Sequence, residues 1–141
     1  MVDGVKEGPI LSVEHLSVSY GTPLGRRQAV DDLSFEVRRS EVFGLVGESG
    51  SGKSTTAFAI LGLIKRPGRI DGGRIRLGGT DLVGLPPQGW RSIRWRRLSL
   101  VPQGAMNALN PVMRVGDQIR DVLETHEGKL PRSVTDKRIV A

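Results

Sequence analysis

The run Gly47-Glu48-Ser49-Gly50-Ser51-Gly52-Lys53-Ser54 constrains this chain more than any other feature. Three glycines in six residues disfavour a regular helix or strand and call for a tight turn of backbone. Before the turn, residues 41–46 are mostly apolar and read as a short strand buried on both faces. After it, Ala57, Ile60, Leu61 and Ile64 fall at i, i+3, i+4 and i+7 and predict a helix over 53–64. Lys65 and Arg66 suit the negative end of that helix, and Pro67-Gly68 stop it. Strand, glycine turn and helix in this order, with the pattern G-x-x-x-x-G-K-[ST], form a phosphate-binding loop.

Each residue type has a role in that chemistry. The glycines bring backbone N–H groups close to phosphate oxygens. The helix starting near Lys53 directs its positive end at the same anions. Lys53 adds a mobile cation for the β- and γ-phosphates. Ser54 offers a hydroxyl ligand to Mg²⁺, and Thr55 is placed for the α-phosphate side. The bland alternative, a glycine-rich turn with a chance lysine, is disfavoured by the flanking strand and helix.

The chain has 141 residues, a length that fits one domain. It is 38% hydrophobic and 26% charged, ordinary for a globular protein. It has no cysteine, which excludes disulfides, thiolate metal sites and thiol catalysis and suits a cytosolic setting. The longest apolar run, 57–64, is far short of the ~20 residues that span a bilayer. The first eight residues do not read as a signal peptide. The chain is therefore expected to be neither secreted nor membrane-spanning by itself.

The alternation of Leu11, Val13, Leu16, Val18 and Tyr20 predicts a strand over 10–20. Turn residues 21–25 follow, then a second strand over 29–37. A hairpin is expected around 72–82, and a short basic helix over 86–95. Another buried strand is expected at 98–101, a loop at 106–111 and a helix over 115–126. A further helix begins at 131. Residues 1–9 read as a tail.

Two further residues draw notice. Tyr20 lies 27 residues before Gly47 at a strand end, where an aromatic ring can stack on adenine or simply pack. Gln103 opens a loop after the expected strand 98–101, where an amide oxygen can reach Mg²⁺ or water.

Together the pieces resemble ATP-binding-cassette (ABC) transporter ATPases. The resemblance rests on Tyr20, on 29–35 (Ala-Val-Asp-Asp-Leu-Ser-Phe) and on 44–55 around the glycine loop. The sequence Leu109-Asn110-Pro111-Val112-Met113, followed by Val115-Gly116-Asp117-Gln118-Ile119, is similar to the ATP-binding subunits of bacterial dipeptide, oligopeptide and nickel importers. It covers about residues 10–130. It implies an α/β fold, a P-loop NTPase core with an N-terminal antiparallel β-subdomain, over 10–141. It implies ATP and Mg²⁺ as cofactors. Tyr20 would be the adenine-stacking aromatic of the A-loop, and Gly47, Glu48, Ser49, Gly50, Ser51, Gly52, Lys53, Ser54 and Thr55 the Walker A motif. Gln103 would be the Q-loop glutamine, with Ser54 and Gln103 the metal-side ligands. The loop from Gln103 to Met113 would face a permease.

The family's usual Phe-Gln-Asp-Pro is here Pro102-Gln103-Gly104-Ala105, a variant loop. A Leu-Ser-Gly-Gly-Gln signature, a Walker B strand and a switch histidine are not found. His15 precedes the loop and His126 reads as a helix-end residue. The chain is thus expected to stop before the Walker B half, to carry no catalytic residue, and to leave its parallel sheet incomplete with an uncovered apolar face. An ATPase by family, it is expected to be inactive alone. The expected partners are transmembrane permease subunits, a second ATP-binding subunit in a homo- or heterodimer and, indirectly, a solute-binding protein. The expected place is peripheral, on the cytoplasmic face of the membrane.

The formal charge of +6 is uneven. Residues 65–97 hold nine basic and two acidic residues, or +7, leaving −1 elsewhere. Arg91, Arg94, Arg96 and Arg97 interleave with Trp90 and Trp95, so a nucleic-acid surface is the rival function. A solvated helix face with both tryptophans packed inward is the plainer account, and the importer-like 109–113 also argues against nucleic acid. A non-catalytic nucleotide-binding module and a product without function stay open as further alternatives.

Overall fold

Apolar residues at alternate positions become strands wherever a neighbour can complete the ladder. In a computed structural model that describes residues 8–104 and 109–140, this happens at the N-terminal end. Strand β1 (Leu11–Thr22) pairs antiparallel with β2 (Gly25–Val37) on one side and β3 (Gly68–Leu77) on the other. A two-residue strand, β4 (Thr80–Asp81), extends the sheet to the order β2-β1-β3-β4. Val13, Leu16, Val18, Val30, Ile75, Leu77 and Leu82 are buried. Each such side chain contributes roughly 1.5–3 kcal/mol relative to exposure.

The alternation is broken by design-like irregularities. The β1–β2 register shifts between Val13 and Leu16, again before Val18, and again before Ser19. At the first break His15 and Asp32 both take left-handed backbone, with φ of 51° and 48°. Their side chains meet at 2.7 Å, while the His15 and Asp32 N–H groups donate to the hydroxyls of Ser34 and Ser17. The bulge is thus held by hydrogen bonds rather than by apolar contact.

Helix α1 (Lys53–Ile60) follows the glycine loop and is shorter than the expected 53–64. Its buried residues are Thr56 and Ala59, with Leu61 buried just beyond. The chain leaves helical geometry at Gly62, whose φ is +62°. A Cβ there would lie 2.2 Å from the Trp90 ring, so Gly62 marks a close approach as well as a stop.

Two expected strands are not formed. Residues 41–46 carry no regular structure, and Val42 and Val46 are 99% and 93% exposed. Residues 98–101 are likewise outside any strand, and Val101 is 87% exposed. The physical reason is the same for both. A strand of a parallel sheet is stabilised by ladders on its flanks and cover on its faces, and among the described residues neither segment joins a ladder, the single bridge of Leu98 to Arg94 being an isolated one. The apolar face expected to be uncovered is indeed exposed at 42–46. Phe43 of this segment stacks parallel on Phe35 of the sheet, with centroids 4.9 Å apart.

The chain divides into two compact units, one ending at Trp90 and the other starting at Arg91. Helix α2 (Pro87–Ile93) matches the expected basic helix. The second unit contains α3 (Val115–Glu127) and α4 (Arg132–Val140), both expected from periodicity. Arg120 of α3 reaches Asp117 at 2.6 Å and Asp136 of α4 at 2.7 Å. Arg138 of α4 grips both oxygens of Glu127, at 2.5 and 3.0 Å. The helices are joined by these ion pairs more than by a core, for no residue of α3 is buried. The expected loop 106–111 lies partly outside the described residues.

Candidate functional site: a glycine loop at a helix N-terminus

Residues 47–52 wrap from the end of the apolar segment into the first turn of α1. Gly50 and Gly52 have φ of +82° and +90°, values that favour glycine. Gly52 caps α1, and a Cβ there would lie 2.4 Å from the backbone oxygen of Ala29. Strand β2 therefore presses directly on the start of the helix, and only glycine allows the approach. The N–H groups of Lys53, Ser54 and Thr55 have no partner inside the helix, because the first turn never does. They and the helix dipole give the loop a positive end.

Lys53 is folded over this loop. Its ammonium donates to the backbone oxygens of Gly47 and Glu48 at 2.7 and 2.6 Å, and to the Ser51 hydroxyl at 3.2 Å. A flexible cation bound to neutral oxygens is well placed to exchange them for charged ones, since charge-assisted hydrogen bonds are roughly twice as strong. The Thr56 hydroxyl donates back to the Gly52 oxygen at 3.0 Å and fixes the first turn. The Ser54 side chain belongs to an exposed residue beside Lys53.

Two concavities follow from this geometry. One of about 140 Å³ is lined by Ala29 and residues 50–55. The other, of about 280 Å³, is lined by Ala29 to Asp31, Leu33, 45–47, Ser51, Lys53 and Thr56. The donor set around them is a cation, helix-start N–H groups and hydroxyls. It fits a multiply charged oxyanion with a hard cation, the chemistry of a nucleotide phosphate chain and Mg²⁺.

The structure brings together residues 47–55 of the expected site. Tyr20 lies in the same unit near the end of β1, half-buried, and lines neither concavity. Its ring leans over Gly68, where an added Cβ would meet it at 2.6 Å. Gln103 belongs to the second unit, exposed at a turn. The sequence reading missed Ala29, whose carbonyl packs on Gly52. Its signal is faint, being the register shift between Val18 and Ser19 that leaves Ala29 unpaired in β2.

The model of one protein family, described as ABC transporter, matches residues 30–139. The chain belongs to this family. The match takes in the glycine loop, α1 and both ion-paired helices. An oligopeptide transport ATP-binding protein of Salmonella typhimurium, OppD, is 45% identical over 119 residues, covering 84% of this chain and 35% of its own length. The dipeptide transport ATP-binding protein DppD of Haemophilus influenzae is 39% identical over 130 residues, covering 92% of this chain and 39% of its own. DppD of Escherichia coli is 39% identical over 119 residues, covering 84% and 36%. The chain thus spans little more than a third of the length of these curated relatives.

The structure gives the segment 109–119 a mechanical account. Gln118 accepts from the Asn110 N–H at 2.9 Å and donates to the Asn110 and Met113 carbonyls, each at 3.0 Å. The loop is therefore clasped to the first turn of α3. His126 sits in the last turn of α3, its ring 6.1 Å from Trp95. Trp90 packs over Gly62, as expected, whereas Trp95 is 66% exposed, which corrects the expectation that both tryptophans face inward. Among the described residues no helix is long and apolar enough to cross a membrane.

Proposed function

We propose that this chain is the nucleotide-binding portion of an ABC importer ATPase that powers uptake of peptides or similar solutes. The observation that carries the reading is the glycine loop, with Lys53 folded over the N-terminus of α1. The peptide-transport relatives support the choice of solute class. Residues 10–141 would form part of the ABC ATPase domain, preceded by the tail 1–9.

In this reading the N–H groups of the loop and of the first turn of α1 bind phosphate oxygens, and Lys53 neutralises the terminal phosphates. Ser54 holds Mg²⁺, which supplies charge neutralisation when bound. Tyr20 orients adenine, and Gln103 senses the metal and couples it to a permease. Transmembrane permeases, a second ATP-binding subunit and a solute-binding protein are the proposed partners, and the cytoplasmic membrane face is the proposed location. A group that orients the attacking water is worth orders of magnitude in phosphoryl transfer. Neither His15 nor His126 suits that role. The chain by itself is therefore proposed to bind Mg-ATP without appreciable turnover.

The test is a chimera. The matched 119 residues of Escherichia coli DppD are replaced by this chain's, and dipeptide uptake is measured in cells lacking DppD. Uptake that disappears with Lys53→Ala is expected. A well-expressed chimera that gives no uptake, or uptake indifferent to Lys53, contradicts the reading. Phosphate release by the 141-residue chain should stay at background, and a rate comparable to an intact ABC ATPase would contradict its inactivity alone.

A further inference from the structure

The chain holds two adjacent arginines on β2 whose surroundings differ sharply. Arg26 is engaged: its Nε donates to the Ser19 hydroxyl at 2.9 Å and its Nη2 to the Ser19 carbonyl at 3.1 Å. Successive side chains of a strand point to opposite faces, so Arg27 lies on the other face from Arg26. Its cross-strand partner in the β1–β2 ladder is Tyr20. Directly opposed residues share a face, with Cβ atoms about 5 Å apart. Arg27 is exposed, and its guanidinium has no hydrogen-bond or ion-pair partner among the described residues. An unengaged guanidinium therefore stands beside the aromatic ring expected to carry the base.

Position along the strand adds a second argument. Ala29, two residues from Arg27, is the point where β2 presses on Gly52 at the mouth of the glycine loop, and it lines both concavities. At about 3.3 Å per residue, Arg27 lies roughly 7 Å further along β2. A ligand with its phosphates over the loop and its base at Tyr20 runs along this strip of β2. Residue 27 is then on the base side and not the phosphate side.

We infer that Arg27 is a base-contacting residue that tilts the purine selectivity of the nucleotide site toward guanine. The inference rests on the nucleotide-binding reading above and deepens it. The chemistry is that of donor matching. A guanidinium has five N–H donors and no acceptor. Guanine presents two acceptors, O6 and N7, on one edge and takes an arginine bidentately, whereas adenine pairs one acceptor with a donor, the 6-amino group. An arginine beside the base therefore favours guanine more than adenine. A site with the ring of Tyr20 alone would not distinguish the two, because every base has a face to stack.

The experiment is calorimetric titration of the full chain with Mg-ATP and with Mg-GTP. It is repeated on Arg27→Ala, Arg27→Lys, Lys53→Ala and, as a charge control, Arg39→Ala, an exposed residue of the turn after β2. Far-UV circular dichroism and melting temperature accompany each variant. The unaltered chain should bind Mg-GTP several-fold more tightly than Mg-ATP, a preference that Arg27→Ala removes. Arg27→Ala should lose roughly tenfold in GTP affinity and distinctly less in ATP affinity. Arg27→Lys should keep the charge and fold but recover little of the GTP binding, since an ammonium lacks the planar fork. Arg39→Ala should match the unaltered chain. Equal losses for both nucleotides, full rescue by lysine, or no effect of Arg27→Ala overturns the inference while leaving a Lys53-dependent site intact. Binding of neither nucleotide by the unaltered chain, or binding indifferent to Lys53, overturns the inference together with the reading beneath it.

Discussion

Gly50 and Gly52 sit two residues apart in the same loop, both at positive φ, yet they face different surroundings. A Cβ on Gly50 meets nothing within 4 Å, whereas one on Gly52 lies 2.4 Å from the Ala29 oxygen. Gly50→Ala should therefore cost only the left-handed backbone strain, about 1–2 kcal/mol. Gly52→Ala should cost more, because β2 and α1 must also separate. Urea unfolding of the two variants checks the order, and equal losses would refute it. The residue scale is also where the sequence was most legible. The spacing of Gly47, Gly52, Lys53 and Ser54 marked the glycine turn and the helix start that the structure shows. What could not be read there was the contact of Ala29 with Gly52, since it depends on a bulge in a strand remote in sequence.

The elements divide by where their stability comes from. Strands β1, β2 and β3 were legible because each brings both an alternating pattern and a partner. Segments 41–46 and 98–101 carry equally apolar residues but stand without a ladder, and pattern alone does not make a strand. Helices α3 and α4 were legible from periodicity, while their joining by ion pairs was not. The Arg138 guanidinium holds the Glu127 carboxyl below its ordinary value by hydrogen bonding, outweighing partial desolvation. A carboxylate with a depressed folded pKa stabilises the folded form above its unfolded value, roughly 4.3, and this is lost as pH falls through the lower folded value. The α3–α4 pair should therefore loosen below about pH 4.3. High salt should mimic the effect in part, because both side chains are solvent-accessible. Circular dichroism melts at pH 7 and pH 3.5 check this, and Glu127→Gln should flatten the dependence. An unchanged pH response in that variant would assign it elsewhere.

Over the whole molecule the two facts that matter most are the formed glycine loop and the bare apolar segment leading into it. Val42 is almost fully exposed and Phe43, Leu45 and Val46 are exposed beside it. Exposed apolar surface of this kind binds hydrophobic dyes and promotes association. Val42→Asp should lower dye fluorescence and raise solubility without lowering the melting temperature, because Val42 touches little. A drop in melting temperature would mean the segment is packed. The exposed segment also bears on the central claim, since it is the lead-in to Gly47 and must not prevent the loop from holding its ligand. Calorimetric titration of the chain with Mg-ATP beside Lys53→Ala tests that claim most directly. Saturable binding by the chain, weakened at least tenfold in the variant with the circular-dichroism spectrum unchanged, is the predicted result. A folded chain that binds no Mg-ATP, or binds it equally with and without Lys53, would contradict it.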